Sequence, residues 1–394
     1  MRTICFFLII LGAVFLLSCN RQKDGQNLYY FPNTDTTYVG VKNGRGDIII
    51  PAVHPILSSR DINDFYDGLE TTKRKPRIFY STEPKLIPDN RYDFEKPITG
   101  IIIEFAGISK GSEAAIEKPC IPGGEVYNRE GKFLYYVAGY ITHRTEKGFS
   151  FISPEPFSEG YRPYVEKGKL GFVDGLGNKV TPARWDFSGP FNSGYARVYG
   201  GGWKQLPMPG YIDYKPLTDT AFTGYINIKG ELIKTAPAAK SDKDYSISNR
   251  QYLANPFIYT KKEQQLVDSL NKIKAITHTN SIDIIRTESE GKSIHFEITD
   301  RPKNGFPYYY IQGYWENLGD AMYTFLVQQD TKEIFHYSAP FFLADEKIPL
   351  DQWITDGLQK VKNNWETEAP GTKLKVNIDK ELKHWQSIAK ENNK

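Results

Sequence analysis

Apolar and polar positions follow three different patterns along the 394-residue chain. Residues 4–17 form one apolar run, preceded by Arg2 and followed by the polar stretch that begins at Asn20. That run is well short of the ~20 residues a membrane span needs and suits the core of a signal peptide. From residue 39 to 237 the apolar stretches are short and separated by glycine-containing turns, the pattern of antiparallel hairpins. Beyond residue 250 the period changes. Leu266, Val267, Leu270, Ile273 and Ile276 recur at helical spacing and predict a helix over 261–276. Strands are expected at 281–286, 293–299, 308–315, 322–327 and 333–337, with a turn at 329–332. A second helix is expected over 350–361, opening near Pro349. The expected fold class is mainly β: an antiparallel β-hairpin repeat array followed by a smaller α+β domain.

The hairpin region repeats itself. VGVKNGRGDIIIPAVHP (39–55) and LGFVDGLGNKVTPARWD (170–186) align at a shift of 131 positions. Gly40, Gly44, Gly46, Pro51 and Ala52 then fall on Gly171, Gly175, Gly177, Pro182 and Ala183, and Asn43 falls on Asp174. A third copy runs over 224–237, where Gly224, Asn227 and Gly230 match Gly171, Asp174 and Gly177. A fourth, weaker copy at 126–134 carries Asn128 and Gly131 in the same register. Each unit reads as a strand, an Asx-led turn with glycine at positive φ, and a second strand ended by proline. Downstream, Phe191-x-x-Gly194-Tyr195 echoes Phe157-x-x-Gly160-Tyr161. A piece this small cannot bury its aromatic face alone and must stack on a neighbour.

These residues resemble the WG-repeat family, also called KWG repeats. Residues 170–198 fit its pattern, including Trp185-Asp186, and 39–57 fit its first half. The copy at 224–237 has Thr235 where the proline belongs. The resemblance implies a β-rich repeat array whose role is binding, with no catalytic residues. The C-terminal part resembles cystatin-like or NTF2-like α+β folds, which host enzymes and binding modules alike.

The leader ends Leu16-Leu17-Ser18-Cys19, which resembles the bacterial lipobox. The resemblance implies cleavage before Cys19, lipidation of its thiol, and anchoring in the cell envelope, the outer membrane being the expected site. Cys5 leaves with the leader, so Cys120 stays without a disulfide partner. The expected organisation is a signal peptide at 1–18, a tether at 19–35, and a repeat region at 36–237 with an insertion at about 58–122. A linker at 238–250 and an α+β domain at 251–394 complete it.

Composition narrows the function. Fifty Lys and Arg against 47 Asp and Glu leave a charge of +3, without the basic excess of a nucleic-acid binder. The histidines show neither H-x-H nor H-E-x-x-H spacing, so no metal site or cofactor is expected. Gly107-Ile108-Ser109-Lys110-Gly111 matches the nucleophile-elbow pattern G-x-S-x-G, but no βα frame places an acid and a histidine around it. Tyr135-Tyr136, Tyr308-Tyr309-Tyr310 and Tyr314-Trp315 are candidate sugar-stacking clusters. Strand alternation sends about half of each into the core. The functional expectation is a lipid-anchored envelope protein with a non-catalytic binding or scaffolding role through its β-repeat surface. Its expected partners are the membrane, through lipidated Cys19, and an envelope protein or glycan. The alternative is an envelope serine hydrolase using Ser109.

The residues that carry the repeat expectation are Gly40, Gly46, Pro51, Gly171, Asp174, Gly177, Pro182, Gly224 and Gly230.

Overall fold

The computed structural model describes residues 26–35, 38–55, 94–95, 97–98, 102–106, 121–144, 150–208, 211–241, 243–248, 250–279, 294–315, 321–338, 346–368, 374 and 376–392. Cys19, Ser109, Cys120 and the strand expected at 281–286 lie outside them. Strands outweigh helices, 49% to 20%, and the sheets are antiparallel, so the chain is mainly β.

The strands group into three-stranded units, each with a lead, a middle and a return strand. Unit 1 is β1 (Leu28–Pro32), β2 (Tyr38–Asn43) and β3 (Ile48–Pro55). Unit 2 is β4 (Ile102–Ala106), β5 (Ile121–Asn128) and β6 (Phe133–Arg144), with β7 (Ser150–Pro154) paired to β6. Its lead strand lies inside the stretch expected as an insertion. Unit 3 is β8 (Tyr161–Glu166), β9 (Lys169–Asp174) and β10 (Lys179–Trp185), and β8 also joins β6. After β11 (Phe187–Asn192), unit 4 begins with β12 (Tyr195–Gly200). A hairpin of β13 (Trp203–Met208) and β14 (Tyr211–Pro216) intervenes, and β15 (Phe222–Ile226) and the two-residue β16 (Leu232–Ile233) complete the unit.

The same turn joins middle and return strands in every unit. Asn43, Asn128, Asp174 and Asn227 each donate a backbone N–H to the residue four places on, at 2.9–3.1 Å. In each case the carbonyl of that same Asx residue accepts from the glycine three places on. The Asx side chain accepts the returning amide as well, for example Asn178 N to Asp174 Oδ1 at 2.9 Å. Gly46, Gly131, Gly177 and Gly230 sit at φ between +75° and +92°, where a Cβ is costly.

Successive units share their cores. Val39, Val41 and Ile50 of unit 1 pack with Ile103 and Phe105 of unit 2. Val126, Tyr135 and Val137 of unit 2 pack with Tyr164 and Val173 of unit 3. Leu170, Phe172 and Trp185 of unit 3 pack with Ala196, Val198 and Ile226 of unit 4. The turns stack in the same direction, each against the return strand of the unit before it. A Cβ on Gly131 would meet Ile49 O at 2.6 Å, and one on Gly177 would meet Leu134 Cδ1 at 2.9 Å. On Gly230 it would meet Thr181 Cβ at 3.1 Å, and Arg184 there donates to the Gly230 carbonyl.

The stretch expected as a linker contains β17 (Tyr245–Ser248), which pairs with β18 (Gln251–Leu253). The C-terminal part then opens with helix α1 (Lys261–Asn271), started by a capping box between Thr260 and Glu263, and the short α2 (Ala275–His278). A five-stranded meander follows: β19 (Ile294–Asp300), β20 (Tyr308–Trp315), β21 (Ala321–Gln328), β22 (Ile334–Ser338) and β23 (Glu346–Pro349). Helices α3 (Leu350–Glu368) and α4 (Ile378–Asn392) complete it. Ile298, Ile311 and Phe325 of the sheet bury against Leu270, Ile354 and Leu358 of the helices. Helix α4 has no counterpart among the sequence expectations.

Candidate functional site

The repeat glycines occupy two kinds of position. Gly46, Gly177 and Gly230 serve the turns. Gly40 and Gly171 lie in middle strands, opposite a break in the ladder. The register of β9 against β10 jumps from Phe172↔Thr181 to Leu170↔Trp185, and that of β2 against β3 jumps from Val41↔Ile50 to Val39↔His54. The extra residues are Pro182-Ala183 and Pro51-Ala52, which bulge over the glycine. A Cβ on Gly171 would lie 2.7 Å from Thr181 O and 2.8 Å from Ala183 N. One on Gly40 would lie 2.5 Å from Ile50 O and 2.6 Å from Ala52 N. The Gly…Pro-Ala signature is therefore one device: proline offers no N–H to the broken ladder, and glycine gives room for the bulge.

Asp174 does more than close its turn. It is buried, and its Oδ2 accepts from Lys303 Nζ at 2.9 Å, while the same ammonium donates to Asp300 at 2.8 Å. Burial pushes the Asp174 carboxyl up, but Lys303 and the Asn178 donors outweigh it and hold the group below its usual range. This pair ties unit 3 to the C-terminal sheet.

A second tie is buried more deeply. The turns Glu159-Gly160 and Ser193-Gly194 have positive φ at both positions, as two-residue hairpins require. Glu159, 1% exposed, accepts from Gly194 N at 2.9 Å and from the Tyr314 hydroxyl. Burial drives its carboxyl up to about 7 against those hydrogen bonds. Glu297, also raised by burial, accepts from Tyr259, and Tyr245 is raised by burial and by both carboxyls. Gly194 packs on Pro256 as well. These groups fill a closed seam between array and C-terminal sheet, and their geometry is that of structural ties.

A half-buried aromatic stack lies beside unit 4. Tyr199 and Tyr214 stack at 4.7 Å with 28° between ring planes, Phe187 lies 4.8 Å from Tyr214, and Trp203 meets Tyr199 edge-on at 5.2 Å. The Arg197 guanidinium lies 5.2 Å from the Tyr199 ring centre. The Trp203 indole is fixed by donating to the carbonyls of Gly200 and Phe222, both at 3.1 Å. Burial raises the Tyr214 hydroxyl to about 12, with Tyr199 and Glu155 adding to it, and burial raises Glu155 to about 7. Apart from the stack, Leu217 (58%), which follows β14, and Phe222 (39%), Ile228 (41%) and Leu232 (51%) of unit 4 are exposed, Phe222 and Leu232 on the sheet face opposite to Tyr199.

The aromatic clusters singled out in the sequence divide as strand alternation requires. Tyr135, Tyr310 and Tyr314 are buried, whereas Tyr136 is exposed beside Phe133. The stack on unit 4 escapes sequence reasoning because its members come from four strands. Ser109 and Cys19 lie outside the described residues, so no geometry attaches to either. Among the described residues no cluster of three or more His, Cys, Asp or Glu is arranged to hold a metal ion. No described helix is long and apolar enough to cross a membrane. Against family models, curated proteins and solved structures, the chain finds no match.

Proposed function

We propose that this is a lipid-anchored cell-envelope protein that binds a partner, without catalysis, through its β-repeat array. The observation that carries the binding role is the group of exposed apolar side chains on and just before unit 4, Leu217, Phe222, Ile228 and Leu232. Exposed apolar surface of this kind marks interaction sites. The anchor rests on the leader sequence and Cys19. A repeat array suits the role because it holds many loops on a rigid stack.

Two measurements test the reading. Cys19→Ala should abolish partitioning of the protein into the detergent phase; unchanged partitioning removes the anchor. The full chain, solubilised in detergent, should capture an envelope component that a Leu217→Ser, Leu232→Ser double variant loses at unchanged melting temperature. Equal capture by both proteins rules out unit 4 as the binding surface.

A further inference from the structure

The array has an end face. In units 2 to 4 the residue just before the turn's Asx packs on the unit before it. Tyr127 of unit 2 packs on the core shared with unit 1, Val173 of unit 3 on unit 2, and Ile226 of unit 4 on unit 3. In unit 1 the same place holds Lys42, and no described unit precedes it. Lys42 stands opposite Tyr29 on β1 and Ile48 on β3, so these three side chains share the outward face of the first sheet. Phe31, opposite Gly40, belongs to that face as well, and the Lys42 ammonium lies 5.8 Å from its ring centre.

The face is not a plain solvated cap, although a terminal repeat is expected to be polar on its outer side. Tyr29 and Phe31 are half-buried rings, Ile48 is 64% exposed, and Val53 is 63% exposed further along the same edge strand. Lys42 and Arg45 stand beside them. Of the acids nearby, Asp47 accepts from Asn43 Nδ2 at 2.8 Å, and Asp35 lies in the turn at the other end of the β1–β2 hairpin. Aromatic rings, aliphatic side chains and long basic side chains on one surface suit the boundary between lipid headgroups and acyl chains.

The chain leads to the same place. Gln26 and Asn27, just ahead of β1, are held at this end of the stack: Gly44 N donates to Asn27 O at 2.9 Å, and Arg129 to Gln26 O at 3.5 Å. Seven residues carry the chain from Cys19 to Gln26, a length that spans at most about 25 Å. A lipid on Cys19 therefore keeps unit 1 close to the bilayer, whereas stacking places each later unit about 10 Å further along the array.

We propose that the outward face of unit 1 rests on the lipid surface of the membrane, with Tyr29, Phe31 and Ile48 at headgroup level and Lys42 and Arg45 on lipid phosphates. The array then stands upright on its first unit. The proposal rests on the anchor read from Cys19 and names the surface that the anchored protein turns to the bilayer. It leaves the exposed side chains of unit 4 at the far end of the stack, turned toward other envelope components.

The test uses the full lipidated chain, carrying Cys120→Ser, in vesicles of phosphatidylethanolamine and phosphatidylglycerol with brominated acyl chains. A thiol-reactive fluorophore is placed at Ile48→Cys or, at the equivalent place in unit 4, at Leu232→Cys. Relative to unbrominated vesicles, emission from position 48 should fall about twofold and emission from position 232 should not change. If Ile48→Cys fails to fold, Lys42→Cys carries the label on the same face. Vesicle flotation separates this proposal from the anchor beneath it. Protein that floats while position 48 stays unquenched, or while both positions are quenched alike, keeps its anchor and overturns the face. Protein that does not float loses the anchor and the proposal with it. Energy transfer between copies labelled at position 48 that persists on dilution into excess vesicles assigns the face to a second copy and likewise overturns the proposal.

Discussion

Units 3 and 4 carry the same glycine at the same place in the same kind of strand, yet the two glycines do different work. Gly171 is pressed by its own chain: a Cβ there would lie 2.5 Å from Tyr164 Cε1 and inside contact distance of two backbone atoms. Among the described residues, a Cβ on Gly224 would meet only the end of one exposed leucine. A glycine's importance is thus set by what crosses it, and the crossing strand is decided further along, at Pro182 in one unit and Thr235 in the other.

The largest expected effect separates the two units directly. Gly171→Ala puts a methyl into backbone that cannot step aside and should cost about 3 kcal/mol. Urea denaturation measures it, and a loss close to zero would mean that the Pro182 bulge is soft. The next effect concerns the tie that holds the two units' hairpin turns together. Glu159 is raised from 4.5 to about 7 when folded. Below about pH 4.5 the group is protonated folded or unfolded and contributes nothing to a pH slope. Between about pH 4.5 and 7 the unfolded chain releases a proton that the folded chain keeps, so stability falls as pH rises, by up to about 3 kcal/mol. Glu159→Gln removes that contribution. The stability difference between wild type and variant should therefore change between about pH 5 and pH 8, and a constant difference contradicts the buried-acid assignment.

A smaller effect compares the turns. Asp174→Ala loses the Leu176 and Asn178 amides and leaves Lys303 with Asp300 alone, and should cost about 2 kcal/mol. Asn227→Ala loses the same kind of turn bonds at an exposed site and should cost about 1 kcal/mol. Thermal melts of the two variants should rank in that order. The smallest effect is Gly224→Ala, within about 0.5 kcal/mol of wild type. A larger loss would show that a backbone segment does cross unit 4.

Part of this architecture is written locally and part is not. Asn43, Asp174 and Asn227 announce their turns because an Asx side chain and a glycine three residues on suffice to build one. The weak copy at Asn128 folds the same way for the same reason. Gly171 and Pro182 are visible as a spaced pair, but that they oppose each other across a bulge depends on register. Helix α4 went unread because Ile378, Leu382 and Trp385 are separated by lysines, glutamate and histidine that dilute the apolar pattern. Tyr245 and Ile247 alternate correctly for a strand, but they sit among small and charged residues that read as a linker. The aromatic stack leaves no mark in any window of sequence, since Phe187, Tyr199, Trp203 and Tyr214 meet only after β11, β12, β13 and β14 have formed.

The one-way stacking of turns gives the array a grammar in which damage travels toward the N-terminus. A change at Gly230 is felt at Thr181 and Arg184, one at Gly177 at Leu134, and one at Gly131 at Ile49, in each case in the unit before. Gly46 belongs to the first described unit, and a Cβ there would meet no described atom within 4 Å, so a side chain at that position strains chiefly its own backbone. A lineage that lengthens such an array at its C-terminal end must therefore bring the glycine with the newcomer, because the older unit has already shaped the surface on which that turn will rest.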